Sequence, residues 1–234
     1  MIRLQREKRQ YITFACFVAM ALAWNMLVYW GTRLITYSWD HHNIMSAWDE
    51  KIPLVPWTVL IYLGCYLFWG VNYWLCADQD AKQRNRFYCA DFLAKAVCAV
   101  VFLTFPTTNT RPVSLGQDGW GFIMKLLYWV DSPDNLFPSI HCLVSWLCWV
   151  GVRGRKDIPC WYRYTSLLLG LAVCVSTLTT RQHVIIDVFG GVFLAELAWF
   201  VSKFACIRDP YGRMANKLLD PIIDWLTRKL PFMK

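Results

Sequence analysis

The chain is short of charge for its length. Asp, Glu, Lys and Arg make up only 17% of its 234 residues, whereas soluble domains carry about 25%. Hydrophobic residues reach 57%, above the about 45–50% of soluble domains. The apolar residues fall in long runs between short basic clusters, a pattern that argues against a soluble globular core and is typical of a chain that crosses a bilayer.

The sequence also lacks several signals of other protein classes. None of its ten cysteines forms a CxxC pair, so neither a zinc knuckle nor a thiol-redox motif is supported, and the cysteines are predicted to be packing residues. No secretory cleavage pattern follows the first apolar run, which is therefore expected to be a retained span. The net charge of +8 could attract nucleic acid, but the basic residues flank apolar runs, where anionic lipids attract them. We predict a bilayer partner and no nucleic-acid partner; the oligomeric state is left open.

The long apolar runs define the predicted fold. A hydrocarbon core of about 30 Å requires about 20 apolar residues per helix. Six runs are candidates: 11–35, 55–77, 87–105, 138–152, 162–180 and 184–205. The sequence thus predicts an all-α, six-span transmembrane helical bundle. Its expected parts are residues 1–86 with two spans, a four-span core at 87–205, and a basic amphipathic cytoplasmic tail at 206–234, where Pro221 is expected to interrupt a short helix.

The distribution of Lys and Arg predicts the orientation. Eighteen of the 24 basic residues fall in the N-terminal segment, in the second and fourth connecting loops or in the C-terminal tail. These segments share one side of the membrane if all six spans cross it. By the positive-inside rule that side is cytoplasmic, so both termini are predicted to be cytoplasmic and the remaining loops to lie on the opposite face.

Two of the four histidines fall at the outer ends of predicted spans. His183 precedes Asp187 by four residues, and positions i and i+4 share one helical face. The carboxylate can then accept a hydrogen bond from one ring nitrogen and leave the other free as a nucleophile. His141 follows Pro138 and Ser139, a combination that suits a helix start, where free N–H groups can bind an anion. A packing role is the alternative for each histidine.

Two arginines depart from the positive-inside pattern and flank these histidines. Arg111 lies in the loop after the third span, and Arg181 lies two residues before His183. The arginine side chain matches phosphate with a bidentate fork. A solvated surface role is the alternative, but two outer arginines beside both histidines favour phosphate binding.

Together these residues resemble the type-2 phosphatidic acid phosphatase and haloperoxidase superfamily. Its motifs are K-x6-RP, PSGH and SR-x5-H-x3-D. The corresponding segments are Thr104-x6-Arg111-Pro112, Pro138-Ser139-Ile140-His141 and Ser176-Thr177-x5-His183-x3-Asp187. The resemblance covers about residues 87–200. Thr104, Ile140 and Thr177 depart from the pattern, and Arg181 is a candidate to replace the missing cations. The segment around Arg181 and His183 is also similar to the branch with inositol phosphorylceramide and sphingomyelin synthases.

The resemblance implies a mechanism without metal or cofactor. His183 would attack phosphorus, Asp187 would hold its tautomer, and His141 would protonate the leaving group. Arg111, Arg181, Ser139 and Ser176 would bind the phosphate. We expect an integral-membrane lipid phosphate phosphatase that acts through phosphohistidine at the non-cytoplasmic face. The alternatives are a lipid phosphotransferase that moves a phospho-headgroup to an alcohol, and a non-catalytic lipid-phosphate binder or transporter. The spans exclude a soluble haloperoxidase.

Other polar residues receive structural interpretations. The segment 39–42, with two adjacent histidines, is expected to be a loop surface or a lid and not a metal site. Asp131, Asp134 and Asn135 are expected to be turn and cap residues. Lys95 and Glu196 lie within predicted spans and are candidates to pair.

Overall fold

The fold is built almost entirely from helices. The computed structural model describes the backbone of residues 2–230 and the side chains of residues 6–230. The helices in this part are α1 (Ile2–Met26), α2 (Thr32–Thr36), α3 (Ala47–Glu50), α4 (Val59–Ala77), α5 (Ala81–Thr104), α6 (Gly119–Val130), α7 (Ile140–Val152), α8 (Cys160–Thr179), α9 (Ile185–Val201) and α10 (Ala205–Lys229). A π-helical stretch, Leu27–Gly31, joins α1 to α2. The predicted all-α class is confirmed.

Helix α7 lies at the centre of the bundle. Ten of its thirteen residues are buried, and it packs against α4, α8 and α9. Gly191 of α9 faces the start of α7, where a Cβ atom would come within 2.5 Å of the Ser139 carbonyl oxygen. Glycine is therefore required for this close approach of two helix backbones. The approach brings the N-terminal ends of α7 and α9 together.

Apolar side chains also cover the outside of the bundle. Leu67 of α4, Leu168 of α8 and Phe193 of α9 are all about two-thirds exposed or more, and similar residues continue along the same faces. Large exposed apolar surfaces are rare on soluble monomers and are expected where a protein faces lipid. The outward faces of these helices therefore fit a hydrocarbon environment.

The number of spans is supported only in part. Within the described residues, three helical stretches are long and apolar enough to cross a membrane: Arg6–Thr36, Pro56–Ala77 and Ala81–Thr104. A fourth is added if α9 and α10, which meet at a bend of 93°, are counted as one span. Helix α7 has thirteen residues and is about 20 Å long at 1.5 Å per residue, shorter than the hydrocarbon core. Six spans therefore remain a prediction.

The expected pairing of Lys95 with Glu196 is wrong. Lys95 instead lies 2.8 Å from Asp91, one turn away on α5, and both are buried. Glu196 binds Arg153 and the indole N–H of Trp146. Buried Lys95 and half-buried Glu196 are thus each paired with an opposite charge, which avoids leaving an unpaired ion in the bundle.

Helix α10 is longer than the sequence predicts. Pro221 does not interrupt it, and the helix runs from Ala205 to Lys229. A proline inside a helix removes one backbone hydrogen bond, but α10 packs against α1 and α5 with Ala215, Leu219 and Ile223 buried. This packing stabilises the helix through the proline.

One strand pair ties two loops together. His42–Asn43 pairs in parallel with Thr107–Thr108, so the loop after α2 is joined to the loop after α5. The His42 ring stacks on Phe105 with centroids 4.5 Å apart, and His41 Nδ1 contacts the Trp39 carbonyl oxygen. The two adjacent histidines therefore have separate partners, and a role as a lid stays a prediction.

Candidate active site

His183 and Asp187 form the hydrogen-bonded pair that their spacing predicts. His183 lies in the turn between α8 and α9, and its Nδ1 is 3.1 Å from Asp187 Oδ2 in the first turn of α9. The same oxygen accepts the Val184 N–H at 3.0 Å. Asp187 is fully buried, so its carboxylate is fixed in place. The geometry leaves His183 Nε2 as the ring nitrogen available for chemistry.

The pair also sets the protonation of His183. Burial alone would lower the pKa of His183, but the hydrogen bond and the negative charge of Asp187 outweigh it and raise this pKa above its usual 6.5. Because a nearby carboxylate favours the charged imidazolium, the ring holds its proton to higher pH than a free histidine does. Only the neutral ring can act as a nucleophile.

His141 lies next to this pair. Its ring centroid is 6.0 Å from that of His183. Ser139 is the N-cap of α7 and accepts the Cys142 N–H at 3.3 Å, while its own N–H donates to the Asp187 carbonyl oxygen at 3.1 Å. The two helix starts are thus joined directly. The structure brings together the three residues that the sequence predicts to be catalytic.

Aromatic residues of α4 surround His141. Tyr62 stacks on the imidazole with centroids 4.4 Å apart, and Trp69 lies at 5.4 Å. The Tyr66 hydroxyl is 3.4 Å from His141 Nε2. Sequence reasoning missed these residues, although their i, i+4, i+7 spacing in an apolar helix places them on one face.

Arg111 is held at the edge of the site by its terminal nitrogens. Nη1 donates to the Asp131 carbonyl oxygen and Nη2 to Gln182 Oε1, while the guanidinium lies 4.6 Å from the centre of the Tyr128 ring. The buried Nε has no hydrogen-bond partner within residues 6–230. Burial lowers the pKa of Arg111, but arginine still stays charged at neutral pH. The predicted binding of phosphate by Arg111 stays a prediction.

Arg181 makes a different set of contacts. Its guanidinium donates to the carbonyl oxygens of Asp49, Glu50 and Ile52, and its backbone adopts a positive φ of 55°. Arg181 and His183 border the same small cleft. The guanidinium thus holds the segment around α3 against the turn before His183. The predicted binding of phosphate by Arg181 stays a prediction.

Asp49 links this segment to the start of α9. Its Oδ1 accepts the Ile185 N–H at 2.7 Å, and Ser46 and Asp49 form a reciprocal capping box at the start of α3. Burial would raise the pKa of Asp49, but the hydrogen bonds from Ser46 and Ile185 keep it below its usual value. Sequence reasoning missed this residue, although the Ser-x-x-Asp spacing is a readable capping signal.

The remaining motif positions mostly bind their own helices. The Ser176 hydroxyl donates to the Val173 carbonyl oxygen at 2.8 Å. Thr104 and Thr177, at the positions of the family's cations, donate to carbonyl oxygens within α5 and α8. Phosphate binding by Ser139 and Ser176 stays a prediction.

An apolar cavity of about 360 Å³ reaches the site between α1, α4 and α6. Its polar lining includes His141, Asp131 and Tyr66. Its walls are largely apolar: Met26, Trp30, Leu63, Trp69, Ile123, Leu126, Leu127 and Val130. The cavity has the composition expected of a site that takes a chain with a polar end.

A family model described as the PAP2 superfamily matches residues 36–201, more than half of the chain. The chain belongs to the PAP2 superfamily. Membership confirms the predicted superfamily and indicates phosphatase- or phosphotransferase-type chemistry. With its long apolar helices, this PAP2 superfamily member is an integral membrane protein.

The matched range contains every residue of the candidate site from Asp49 to Asp187. No curated protein and no solved structure matches the chain. The predicted likeness of this PAP2 superfamily member to the inositol phosphorylceramide and sphingomyelin synthases therefore stays a prediction.

Proposed function

We propose that this PAP2 superfamily member is a lipid phosphate phosphatase that acts through a phosphohistidine on His183. The observation that carries the proposal is the His183–Asp187 pair, whose Nδ1–Oδ2 hydrogen bond leaves Nε2 free beside His141. Binding alone needs no oriented nucleophile, so this arrangement favours catalysis over a lipid-phosphate binder or transporter.

In the first half of the reaction, His183 Nε2 attacks phosphorus while the bond to the leaving oxygen breaks. The electron pair of that bond goes to the leaving oxygen, which takes a proton from His141 Nε2. Asp187 keeps the proton of His183 Nδ1 in place and stabilises the positive charge that develops on the ring. Arg111 would bind the equatorial oxygens as negative charge spreads over them.

In the second half, water attacks the phosphohistidine. His141 Nε2 takes the proton of the water, and the bond between phosphorus and His183 breaks with its electron pair returning to the ring. This reversal of roles is the usual behaviour of a residue that acts as acid and then as base.

The apolar cavity supports a lipid as the substrate. His141 and Asp131 are among its polar lining residues, so a lipid chain in the cavity would place its phosphate beside His141, whose ring centroid lies 6.0 Å from that of His183. The distribution of basic residues supports cytoplasmic termini, with the site on the non-cytoplasmic face. We propose this orientation together with the function.

A lipid phosphotransferase is the second candidate. The walls of the cavity that reaches His141 are largely apolar, which suits the hydroxyl of a second lipid as well as it suits a substrate chain. His141 would then take its proton from that hydroxyl instead of from water. The His183 intermediate is common to both reactions.

Purified protein in detergent, supplied with a panel of phosphatidates and polyprenyl phosphates, tests the proposal. We expect release of inorganic phosphate from at least one lipid, and a matched His183→Gln preparation measures contaminating activity. Appearance of the headgroup on an added acceptor alcohol, in place of free phosphate, would favour the transferase. No turnover of any lipid, with or without acceptor, would contradict both catalytic proposals.

Arg111→Gln is expected to lower kcat/KM by about 10²–10³-fold, the usual effect of removing one donor to the developing charge. Arg181→Gln is expected mainly to lower the midpoint of thermal unfolding, because its guanidinium holds three backbone carbonyl groups. Competitive inhibition by inorganic phosphate separates a phosphate-binding role from a structural one. The Ki for phosphate should rise in Arg111→Gln and stay near that of the parent in Arg181→Gln.

Arg111→Lys keeps the charge but not the fork, and is expected to recover part of the activity. If Arg181→Gln raises Ki for phosphate as much as Arg111→Gln does, Arg181 binds phosphate as the sequence predicts. A normal Ki in Arg111→Gln would remove Arg111 from the proposed site.

A further inference from the structure

His141 has a polar partner on the side away from Nε2. Its Nδ1 is 3.3 Å from the Tyr62 hydroxyl, and that hydroxyl donates to Asp131 Oδ2 at 2.8 Å. Tyr62 is only 1% exposed, whereas His141 and Asp131 are half-buried and line the apolar cavity. A chain of hydrogen bonds with a buried hydroxyl at its centre therefore runs from the imidazole to a carboxylate.

The chemistry of the tyrosine hydroxyl fixes the direction of each hydrogen bond between His141, Tyr62 and Asp131. A tyrosine hydroxyl has one proton, and Tyr62 gives it to the Asp131 carboxylate. Its oxygen can then only accept from His141, so the proton of the neutral ring lies on Nδ1. His141 Nε2 is then the unprotonated nitrogen, with the Tyr66 hydroxyl beside it at 3.4 Å.

Asp131 is held more firmly than a helix-terminal residue requires. Its backbone N–H binds the Leu127 carbonyl oxygen and ends α6, which agrees with the cap role expected from the sequence. The carboxylate, however, accepts the Tyr29 hydroxyl on Oδ1 and the Tyr62 hydroxyl on Oδ2. The Asp131 carbonyl oxygen also binds Arg111, so this residue joins the proposed acid to the proposed phosphate-binding arginine.

We propose that Asp131, acting through Tyr62, is the positioning carboxylate for His141, as Asp187 is for His183. The inference rests on the proposed function and assigns Tyr62 and Asp131 roles in it. Neither residue touches phosphorus or the leaving group in this proposal. Together they orient the His141 ring and stabilise its protonated form.

In the first half of the reaction, protonated His141 carries protons on both nitrogens. It gives the Nε2 proton to the leaving oxygen and keeps the Nδ1 proton, which stays hydrogen-bonded to the Tyr62 oxygen. Tyr62 keeps its own proton directed at Asp131, and no proton is transferred to the carboxylate. The negative charge of the Asp131 carboxylate favours the His141 imidazolium before the Nε2 proton is transferred.

The leaving group of the substrate tests this role. An alkyl phosphate needs a proton on its departing oxygen, whereas a nitrophenyl phosphate ester with the same lipid chain does not. Tyr62→Phe and Asp131→Asn are each expected to lower kcat/KM for the alkyl substrate by about 10–100-fold, a part of the about 10²–10⁴-fold that acid–base catalysis contributes. For the nitrophenyl substrate we expect a loss of less than about threefold.

Tyr73→Phe is the matched control for the loss of a buried hydroxyl. Tyr73 is on the same helix as Tyr62 and donates to a carboxylate, that of Asp91, and no contact joins it to His141. We expect this variant to treat both substrates as the parent does. Equal losses for both substrates in Tyr62→Phe and Asp131→Asn, or no loss for either, would overturn the proposal.

A second measurement does not depend on turnover. Nitrogen NMR of histidine-labelled protein in nanodiscs reports the tautomer of each ring, and the His141 signals are those missing from His141→Gln. We expect the Nδ1–H form in the parent and in Tyr73→Phe, with a shift toward Nε2–H in Tyr62→Phe. An unchanged tautomer in Tyr62→Phe would overturn the relay, whereas a shift in a protein that turns over no lipid would contradict the proposed function alone.

Discussion

His183→Gln is expected to lower turnover of the lipid phosphate by at least about 10⁴-fold, because the loss of a catalytic nucleophile commonly costs about 10⁶-fold. The covalent intermediate should disappear with it. Brief reaction with a radiolabelled lipid phosphate, followed by an alkaline quench, should leave label on the parent protein and none on the variant. Phosphohistidine survives alkali and is lost in acid, so an acid quench should remove the label from the parent.

His42→Gln is the matched control for this change. His42 lies in the strand pair and stacks on Phe105, and no contact joins it to His141 or His183. Its activity and its labelling should equal those of the parent. Label that persists in His183→Gln, or that is lost equally in His42→Gln, would contradict the assignment of His183 as the nucleophile.

The nucleophile pair could be predicted from the sequence because its geometry is local. His183 and Asp187 are four residues apart at a helix start, so one turn of backbone brings their side chains together. Ser139 before His141 is a local cap signal of the same kind. What the sequence did not show is the distance between the two helix starts, which depends on Gly191 packing against the Ser139 backbone.

The second half of the site could not be predicted in the same way. Tyr62, Asp131 and His141 come from three separate segments, and their contact depends on how α4, α6 and α7 pack. The sequence predicts Asp131 to be a turn or cap residue, and nothing in it indicates that the Asp131 carboxylate accepts the Tyr29 and Tyr62 hydroxyls. Arg181 illustrates the reverse case, because a charge beside a histidine suggested a ligand while its guanidinium binds a neighbouring loop.

The positions of the long apolar helices could be predicted from composition, but their lengths could not. Each of the six predicted runs is helical at its centre, because a long apolar run must satisfy its backbone hydrogen bonds internally. Helix length follows from packing as well as from composition, however. Helix α7 is almost wholly surrounded by protein, so its thirteen residues need not match the full thickness of the hydrocarbon core.

Asp187→Asn is expected to lower the plateau of kcat/KM by about 10⁴-fold, the effect of losing the carboxylate that fixes a catalytic histidine tautomer. The amide can donate to His183 Nδ1, which moves the ring proton to Nε2 and blocks attack on phosphorus. The change is nearly isosteric, but the Val184 N–H donates to the same Oδ2 and loses its acceptor when the amide nitrogen takes that position. We therefore expect a folded variant with a modestly lower midpoint of thermal unfolding, which a thermal melt beside the parent would check.

The same variant should move the acidic limb of the pH profile of kcat/KM. Asp187 raises the pKa of His183 above 6.5 although burial opposes it, so the parent loses its neutral nucleophile as the pH falls through this raised value. Without the carboxylate, the two largest effects that oppose burial are lost, so the pKa of His183 falls and the limb should shift to lower pH. Asp118→Asn, which changes a carboxylate at the N-cap of α6, should leave the limb in place. An unshifted limb in Asp187→Asn would mean that a group other than His183 controls it.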